Sequence, residues 1–437
     1  MGTPRWTSLQ DRVAIHALST AGQSDRQIAA ALGWTVATVR KWRRIAQRQG
    51  TDHLTSRMGR PAGGALSTLT ADQRALIQRL RTQHPGWGPV TLRVELSRDP
   101  AWGAEPVPSR ARLAAFLRQE GLSRRNQKRR PLPQPAPTTA THPHAEWQMD
   151  AQGPTPVAGV GTVSVINIAD VVSRLKVESY PAVATTQPSM ADYQLVLRRA
   201  FTQFGLPDRL TLDHGSAFYD NTSPSPYPTR LHLWILALGI TVGFIRTRRP
   251  TDHALIERGH QTMTGQALTG QTWADADALQ IGLDDRRHHL NTIIPSRVLG
   301  GQAPLQVYPD ATRSGRSYRP EWEPDLLDMT RVDTYLAQGH WFRSSNCHGE
   351  FWLGSYRYNL GRTVRSRQIA IQYDPTQREL VCQPDGTGPA RRLPIKGVSV
   401  AEVMGELTPL VLWPAYQYAL PLSHETWRQL EVARSLG

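Results

Sequence analysis

Residues 147–268 alternate β-strand and helical patterns in an order that few folds accommodate. The β-branched alternation at 162–170, followed at hairpin distance by 174–180, predicts two strands joined as a hairpin. An apolar stripe over Met190–Phe204 predicts a helix that Gly205 ends. The later elements are predicted as a strand at Arg209–Leu212, a helix at 231–238, a strand at 240–245 and a helix at 254–268. With residues 147–150 as the first strand, the order βββαβαβα predicts a mixed α/β core over residues 145–300.

Three acidic residues occupy informative points of this order. Asp150 ends the first strand, Asp213 follows the strand at Arg209–Leu212 directly, and Glu257 falls in the first turns of the last helix. Together they give a ribonuclease-H-like layout. Two divalent cations about 3.5–4 Å apart can hold a scissile phosphate, activate an attacking water or 3′-hydroxyl and stabilise the leaving oxygen. Mg²⁺ prefers oxygen ligands, so carboxylates from different elements suffice to hold it. The pattern therefore predicts metal-dependent phosphodiester chemistry; the alternative is that each acid is merely solvated.

Several motifs around these acids resemble those of the DDE transposases and integrases of the retroviral-integrase-core superfamily, in particular bacterial insertion-sequence transposases with N-terminal helix-turn-helix domains. The matching residues are 147–150, Asp170 with Ser173 and Arg174, 205–207, 213–215 with Phe218, and 249–250 leading to 256–258. The resemblance implies a polynucleotidyl transferase that uses two Mg²⁺ ions, for which Mn²⁺ would substitute. It also implies that Asp150 bridges the two ions, while Asp213 and Glu257 each complete one metal site.

Two departures from the family pattern affect the third acid. The family often has a shorter gap between its second and third acids, whereas 43 residues separate Asp213 from Glu257 here, and residues 220–228 have the composition of an inserted loop. The usual Asn-Gly before the third acid is replaced by residues 253–255. Asp252 is therefore an alternative third acid. Glu257 is favoured because residues 255–258 match the family pattern, and because Asp252 stands where a helix N-cap belongs.

The positive charge of the chain is concentrated in its N-terminal third. The whole chain carries a formal net charge of +15. Residues 1–130 hold 23 Lys and Arg against 8 Asp and Glu, so they account for the entire excess, and the remainder is balanced. This distribution predicts that the N-terminal third binds a polyanion, with an affinity that falls steeply as salt rises.

Residues 1–55 are predicted to form a helix-turn-helix DNA-binding domain. Helices are predicted at 9–20 and 24–32, the second opened by a capping box and ended by Gly33. A third helix at 36–48 carries the basic residues Arg40, Lys41, Arg43 and Arg44 away from its apolar face. Such a helix can enter the major groove of double-stranded DNA. The alternative is a charged, solvated face on an ordinary helical bundle.

Residues 65–122 are predicted to form a second helical DNA-binding domain. Helices are expected at 70–83, 90–96 and 110–120, with a Pro- and Gly-rich turn at 84–89 between the first two. This arrangement resembles the second helix-turn-helix of the same transposases. Within the turn, Trp87 is either a core residue or a residue that stacks on a base, and the core is the favoured assignment.

Two further basic segments are candidates for phosphate contacts. The first is a Pro-rich linker at 123–144, which is expected to be extended and which is either a DNA-binding arm or a plain spacer; its basic residues are Arg124, Arg125, Lys128, Arg129 and Arg130. The second precedes the helix with Glu257 and contains Arg246, Arg248 and Arg249. These three are expected to grip donor or target DNA, with a structural ion pair as the alternative.

The C-terminal region changes to short strand patterns. Residues 331–332, 339–343, 350–358, 363–364, 368–373 and 379–383 alternate in polarity and predict strands. Their number predicts a small β-barrel over 325–400, which resembles the barrel after the core of Mu-type transposases. A phosphate-binding face would come from Arg357, Arg362, Arg365 and Arg367. The tail at 401–437 is expected to contain a helix near 425–435 and to be a place where a partner protein could bind.

These patterns together predict a multidomain DNA transposase. It would bind the terminal repeats of its element, cleave their 3′ ends and join them to target DNA as a homo-oligomer, with an ATPase or target-selecting protein as a further possible partner. The alternatives are a silent transposase-derived regulator and a ribonuclease-H-like nuclease. Cys347 and Cys382 are the only cysteines, and no apolar run of membrane-spanning length occurs. The expected setting is therefore the bacterial cytoplasm at the nucleoid, with no membrane partner.

Overall fold

The computed structural model describes residues 7–55, 68–123, 138–182, 187–246, 252 and 254–407. The chain divides into two units, residues 1–72 and 73–437. Within the described ranges, no helix is both long enough and apolar enough to span a lipid bilayer.

The first unit contains the three predicted helices, α1 at Leu9–Thr20, α2 at Asp25–Leu32 and α3 at Val36–Gln49, followed by a 3₁₀ turn at Thr51–Leu54. Serine capping boxes open α1 and α2, and the hydroxyl of Thr35 caps α3 by accepting from the backbone of Thr38. The buried core consists of Ile15, Ile28, Ala29 and Val39. The helix-turn-helix prediction is confirmed.

Three helices follow, α4 at Ala71–Gln83, α5 at Pro89–Arg98 and α6 at Arg110–Gln119, and all of them except the first two residues of α4 belong to the second unit. Their mutual core is aliphatic and aromatic, with Leu92, Leu96, Leu113 and Phe116 buried. Trp87 precedes α5 and is also buried, 8% exposed. Its ring stacks on that of His84 with centroids 3.7 Å apart. Trp87 is therefore a packed residue in this structure.

A five-stranded mixed sheet forms the centre of the second unit. Its strands are β1 at Glu146–Val157, β2 at Gly161–Asp170, β3 at Lys176–Ala182, β4 at Arg209–Leu212 and β5 at Thr241–Phe244. The spatial order is β3-β2-β1-β4-β5. Strands β1, β2 and β3 pair antiparallel, and β4 and β5 continue the sheet in parallel with β1. The predicted mixed α/β core is confirmed.

Helices cover this sheet. They are α7 at Met190–Phe204, α8 at Arg230–Ala237, α9 at Ala254–Met263 and α10 at Ala276–Thr292. A π-helical turn at Thr264–Leu268, termed the π-turn below, continues α9 directly. Aromatic side chains from β1, α7 and α8 stack in sequence through Trp147, Phe201 and Trp234, with neighbouring centroids 5.9 Å apart. These contacts hold α7 and α8 against the strand that carries Asp150.

Helix α10 covers strand β3, which lies at the edge of the sheet. The side chain of Asn291 accepts from the backbone N–H of Lys176 at 2.8 Å and donates to its carbonyl at 3.0 Å. Arg287 donates to the carbonyl of Val177. Polar side chains thus pair with backbone groups that an edge strand would otherwise expose to another chain.

A buried network of four ionic side chains fastens α10 to α7 and β3. The carboxylate of Glu178 pairs with Arg199 at 3.2 Å and with Arg287 at 3.1 Å. Asp284 pairs with the same two arginines, at 3.2 and 2.7 Å. Two positive and two negative groups give no net charge, which is the condition under which ionised side chains can be buried together.

The C-terminal region departs from the predicted barrel. It begins with two short helices, α11 at Pro304–Val307 and α12 at Glu323–Leu326, and a longer helix, α13 at Met329–Ala337. Six strands follow: β6 at His340–Ser344, β7 at Glu350–Leu353, β8 at Tyr356–Asn359, β9 at Gln368–Asp374, β10 at Glu379–Pro384 and β11 at Arg391–Pro394. The four-stranded sheet has the order β11-β10-β9-β6, and β7 and β8 form a separate hairpin. No closed sheet forms among the described residues, so the barrel is not confirmed.

Three of the predicted strands are wrong in detail. Residues 331–332 lie in α13, because Asp328 caps that helix and Val332 and Leu336 bury one face at i, i+4 spacing. Residues 363–364 lie in a 3₁₀ turn at Arg362–Val364. The segment at 350–358 is two strands, since Gly354 turns the chain with a φ of 58°.

The C-terminal sheet shares one hydrophobic core with the mixed sheet. The same cluster includes Trp147 of β1, Ile369 of β9 and Leu380 of β10. Helix α14 at Val400–Met404 docks on α7, where the amide of Gln194 donates to the carbonyl of Met404 at 3.2 Å. Residues 408–437, including the predicted helix at 425–435, lie outside the described residues.

Candidate active site

Asp150 lies in β1, where it pairs with Asn167 of β2. One carboxylate oxygen accepts a hydrogen bond from the backbone N–H of Ala151 at 2.8 Å, and the side chain is 27% exposed. Burial, together with the negative charges of Asp213 and Glu257, raises the pKa of Asp150 to about 6 against the lowering effect of the Ala151 hydrogen bond. Asp213 and Glu257 are therefore both within electrostatic reach of Asp150.

Asp213 follows β4 directly, beside β1. Gln148 of β1 is in register with Thr211 of β4, and the two strands are parallel. Positions two residues further along, Asp150 within β1 and Asp213 just after β4, are consequently level with each other. The prediction that the first strand ends at Asp150 is wrong, because β1 stays paired with β2 as far as Val157. A carboxylate oxygen of Asp213 accepts from the backbone N–H of Gly215 at 2.9 Å.

Glu257 lies in the first turn of α9, which packs on β1 and β2. Asp252, the alternative third acid, is held differently. Both of its carboxylate oxygens accept from the guanidinium of Arg246 at 2.8 Å, and its carbonyl accepts from the amide of Gln148 at 3.1 Å. Asp252 is thus engaged by an arginine, whereas the charge of Glu257 acts on Asp150.

His260 is a neighbour of the acids that the sequence analysis missed. It follows Glu257 by one helical turn, and its Nδ1 lies 3.9 Å from a carboxylate oxygen of Asp150. The side chain is 13% exposed. Residues at i and i+3 share a helix face, so the spacing of Glu257 and His260 in the predicted helix is the sequence signal that could have identified this neighbour.

The donor set suits a hard divalent cation. Three carboxylates supply oxygen ligands, and their mutual repulsion, expressed in the raised pKa of Asp150, is what a cation among them would relieve. Within the described residues, no group of three His, Cys, Asp or Glu side chains is already gathered closely enough to hold a metal ion. Metal binding at these acids would therefore require their side chains to draw together.

The other predicted DNA contacts divide into paired, exposed and undescribed residues. In α3, Arg40 and Arg43 both bind Asp25, at 3.2 and 2.8 Å, and Lys41 and Arg44 are exposed. Arg246 is paired with Asp252 but 59% exposed. The residues that lie outside the described part of the chain are Arg124, Arg125, Lys128, Arg129, Arg130, Arg248 and Arg249.

The second helical domain contacts the π-turn at the end of α9. The indole N–H of Trp87 donates to the carbonyl of Gln266 at 2.9 Å, and the amide of Gln266 donates to the hydroxyl of Thr91 at 2.9 Å. Gly86 approaches Gly265 so closely that a Cβ at residue 86 would lie 1.6 Å from the carbonyl oxygen of residue 265. Glycine is therefore required at this contact.

An ion pair reinforces the contact. The guanidinium of Arg286 in α10 binds Glu95 of α5 at 2.6 Å, with side chains 5% and 14% exposed. The same guanidinium lies over the Trp87 ring, 4.5 Å from its centroid. Burial raises the pKa of Glu95, against the lowering effect of the Arg286 charge.

Comparisons with known proteins support the N-terminal assignment. Residues 6–55 match a family of homeodomain-like domains. The catalytic core domain of HTLV-2 integrase in complex with magnesium, in its trimeric form, aligns at 15% identity with a TM-score of 0.27, over 38% of this chain and 96% of that one. The simian T-cell lymphotropic virus intasome in complex with a regulatory subunit of PP2A aligns at 13% identity with a TM-score of 0.32, over 73% of this chain and 96% of that one.

Proposed function

We propose that this protein is a DNA transposase that binds the ends of its element through the N-terminal third and joins their 3′-hydroxyls to target DNA. The observation that carries the proposal is the electrostatic coupling of Asp150 to Asp213 and Glu257 on a mixed sheet of ribonuclease-H-like order. A homeodomain-like domain in the same chain supplies the DNA-binding function that the chemistry needs. Oligomerisation and any ATPase or target-selecting partner belong to the same proposal.

Each acid has a proposed role. The charges of both Asp213 and Glu257 act on Asp150, so Asp150 is proposed as the ligand that two ions would share. Asp213 and Glu257 would each complete one of the two metal sites. Two Mg²⁺ ions, or Mn²⁺ in their place, would supply Lewis acidity to the attacking and leaving oxygens. The backbone N–H of Gly215 orients Asp213 through its hydrogen bond. The short strand β4 holds the backbone of Asp213 beside that of Asp150, so the reorganisation needed for metal binding is confined to the side chains.

The basic residues are proposed to position DNA. The excess charge of residues 1–130 favours phosphate contacts by that region, and α3 is the element proposed for the major groove. Arg246 lies six residues before Asp252, which it binds, and so places a cation close to the start of α9. Exchange of that carboxylate for a DNA phosphate would bring a strand to the acids.

A strand-transfer assay tests the proposal. The reaction contains pre-cut oligonucleotides from the terminal repeats of the element, a supercoiled plasmid, and Mg²⁺ or Mn²⁺. We expect metal-dependent joined product from the wild type, and none from Asp150→Asn, Asp213→Asn or Glu257→Gln, with end binding retained in all three. Loss of joining in Asp252→Asn with retention in Glu257→Gln would overturn the third assignment.

The same assay separates the alternatives. End binding without joined product under either metal would indicate a regulator or the need for a partner protein. Hydrolysed ends without joined product would indicate a nuclease. Either result, reproduced across both metals, would refute a self-sufficient transposase.

A further inference from the structure

A groove of about 330 Å³ lies between the inserted loop at 220–228 and strands β6 and β7. We call it the aromatic groove. Asp220 and Pro224 belong to its loop wall, and Phe342, Arg343 and Trp352 belong to its sheet wall. Its volume lies at the lower end of the range of about 300–1,000 Å³ that is typical of small-molecule sites in proteins.

The loop wall is built onto the edge of β6. The hydroxyl of Ser225 accepts from the backbone N–H of Phe342 at 2.8 Å and lies 3.2 Å from its carbonyl oxygen, to which it donates. The indole N–H of Trp341 donates to the carbonyl of Pro226 at 3.1 Å. Arg343 donates to the carbonyl of Ser225 at 2.9 Å. The inserted loop is therefore held along the outer edge of the four-stranded sheet.

The same loop is joined to the segment that follows Asp213. The side-chain amide of Asn221 donates to the carbonyl of His214 at 2.6 Å. The carboxylate of Asp220 accepts from the backbone N–H of Tyr227 at 3.2 Å, which closes the loop on itself. The aromatic groove thus begins at Asp220, seven residues after Asp213, on a loop that is hydrogen-bonded to the residue next to that acid.

Two large aromatic side chains in the groove face solvent. Phe342 is 55% exposed and Trp352 is 59% exposed, whereas Trp341, next to Phe342 in β6, is 4% exposed. Exposed aromatic rings grouped in one concave site are typical of binding surfaces, because their burial on binding is strongly favourable. The strand alternation therefore places one ring in the core and the next in the groove.

The charges of the groove favour a neutral ligand over a phosphate. The guanidinium of Arg343 pairs with the carboxylate of Asp220 at 3.3 Å, and their side chains are 12% and 15% exposed. Burial acts to raise the pKa of Asp220, but hydrogen bonds from Thr222 and Tyr227, and after them the charge of Arg343, outweigh it and lower the pKa. The pair leaves no net charge to attract a phosphate, while the polar side chain of Gln368 lies at the groove for hydrogen bonding.

We propose that the aromatic groove binds an unstacked nucleobase of the DNA strand that passes the candidate active site, with Trp352 and Phe342 stacking on its faces. The proposal rests on the proposed function only for the identity of that strand. Stacking on an aromatic side chain is tolerant of base identity, because every base has a π face. The groove would therefore hold a displaced base without selecting its sequence.

Binding to single-stranded DNA in EDTA tests the groove without any chemistry. The probes are a fluorescent oligothymidylate and the same backbone with abasic sugars at its central positions. We expect Trp352→Leu to weaken binding of the base-bearing probe by about tenfold and to leave the abasic probe nearly unchanged. Phe342→Leu should act in the same direction, and Trp352→Phe should recover most of the loss because it retains a ring.

Tyr335→Leu is the matched control, since Tyr335 is a partly exposed aromatic residue of α13 that does not line the groove. An equal loss of affinity for both probes in Trp352→Leu would overturn the proposal in favour of a contact with the DNA backbone or of a folding defect. The Trp352→Phe variant and a thermal melt distinguish these two explanations. Unchanged affinities, with a lower sedimentation mass, would overturn it in favour of an interface between copies of this chain. Because the assay contains no metal, its outcome is independent of whether the wild type joins DNA.

Discussion

Replacing Asp150 by Asn should stabilise the metal-free protein at neutral pH. The pKa of Asp150 is raised from 3.8 to about 6 by burial, by Asp213 and by Glu257. A shift of that size corresponds to about 3 kcal/mol of unfavourable free energy for the ionised side chain. An amide of the same shape carries no charge, so Asp150→Asn should recover on the order of this amount, less what solvent at the partly exposed carboxylate already screens.

The stability gained by Asp150→Asn should increase with pH. A carboxyl group with a raised pKa in the folded state favours the protonated form, so its contribution to stability is full below the unfolded pKa near 3.8 and is lost as the pH rises to about 6. The variant should therefore match the wild type near pH 4 and exceed it in stability above pH 6.

Urea unfolding in EDTA at pH 4 and pH 8 measures both quantities. Asp310→Asn, at an exposed position of the second unit, is the control for a change of net charge. If Asp150→Asn is no more stable than the wild type at pH 8, or if the gain is the same at both pH values, then Asp150 is not in the repulsive, desolvated environment described above. Added Mg²⁺ should narrow the difference by stabilising only the wild type.

Two further perturbations address the helical domains. Arg286→Met should cost up to about 3–5 kcal/mol, because it leaves the buried Glu95 with the more exposed Arg98, at 3.5 Å, as its remaining arginine partner. Adding Glu95→Leu should restore most of the loss, and a neutral single variant in urea unfolding would contradict the buried pair. Asp25→Asn should release Arg40 and Arg43 and strengthen DNA binding about two- to fivefold. A DNA titration at two salt concentrations measures this change. Weaker binding by the variant would instead show that Asp25 holds the two arginines of α3 in the orientation that binds DNA.

Local patterns were sufficient to predict the elements of the core. The alternation at 162–170 and the stripe at Met190–Phe204 depend on neighbouring residues alone, so β2 and α7 appear where the pattern indicated. The predicted barrel is not confirmed, because it too was inferred from local patterns alone. Segments of two residues, such as 331–332, carry too little alternation to distinguish a strand from the first turn of a capped helix. Closure of a sheet depends on distant pairing that no local pattern specifies.

The candidate site divides in the same way. Asp213 was predictable because it directly follows a recognisable strand. Asp150 was predictable because it lies in one, although β1 continues to Val157 and does not end at Asp150. The contact of Trp87 with Gln266 joins residues 179 positions apart, and neither side chain has a local pattern that indicates the other. The approach of His260 to Asp150 needed the orientation of α9 on the sheet, which the helical pattern alone left open.

The π-turn at Thr264–Leu268 lies between the second helical domain and the strand that carries Asp150. It is bound on one side by the second helical domain through Trp87, and on the other by β1, where the amide of Gln152 donates to the hydroxyl of Thr264 at 2.5 Å. A DNA end that bound the helical domain more tightly in one docking geometry would shift the population of that geometry, and with it the orientation of α9. Linkage is reciprocal, so cations gathered at the acids would change the affinity for that DNA end by the same factor. Binding of the DNA end and binding of cations at the acids would then be two coupled equilibria, each of which favours the other.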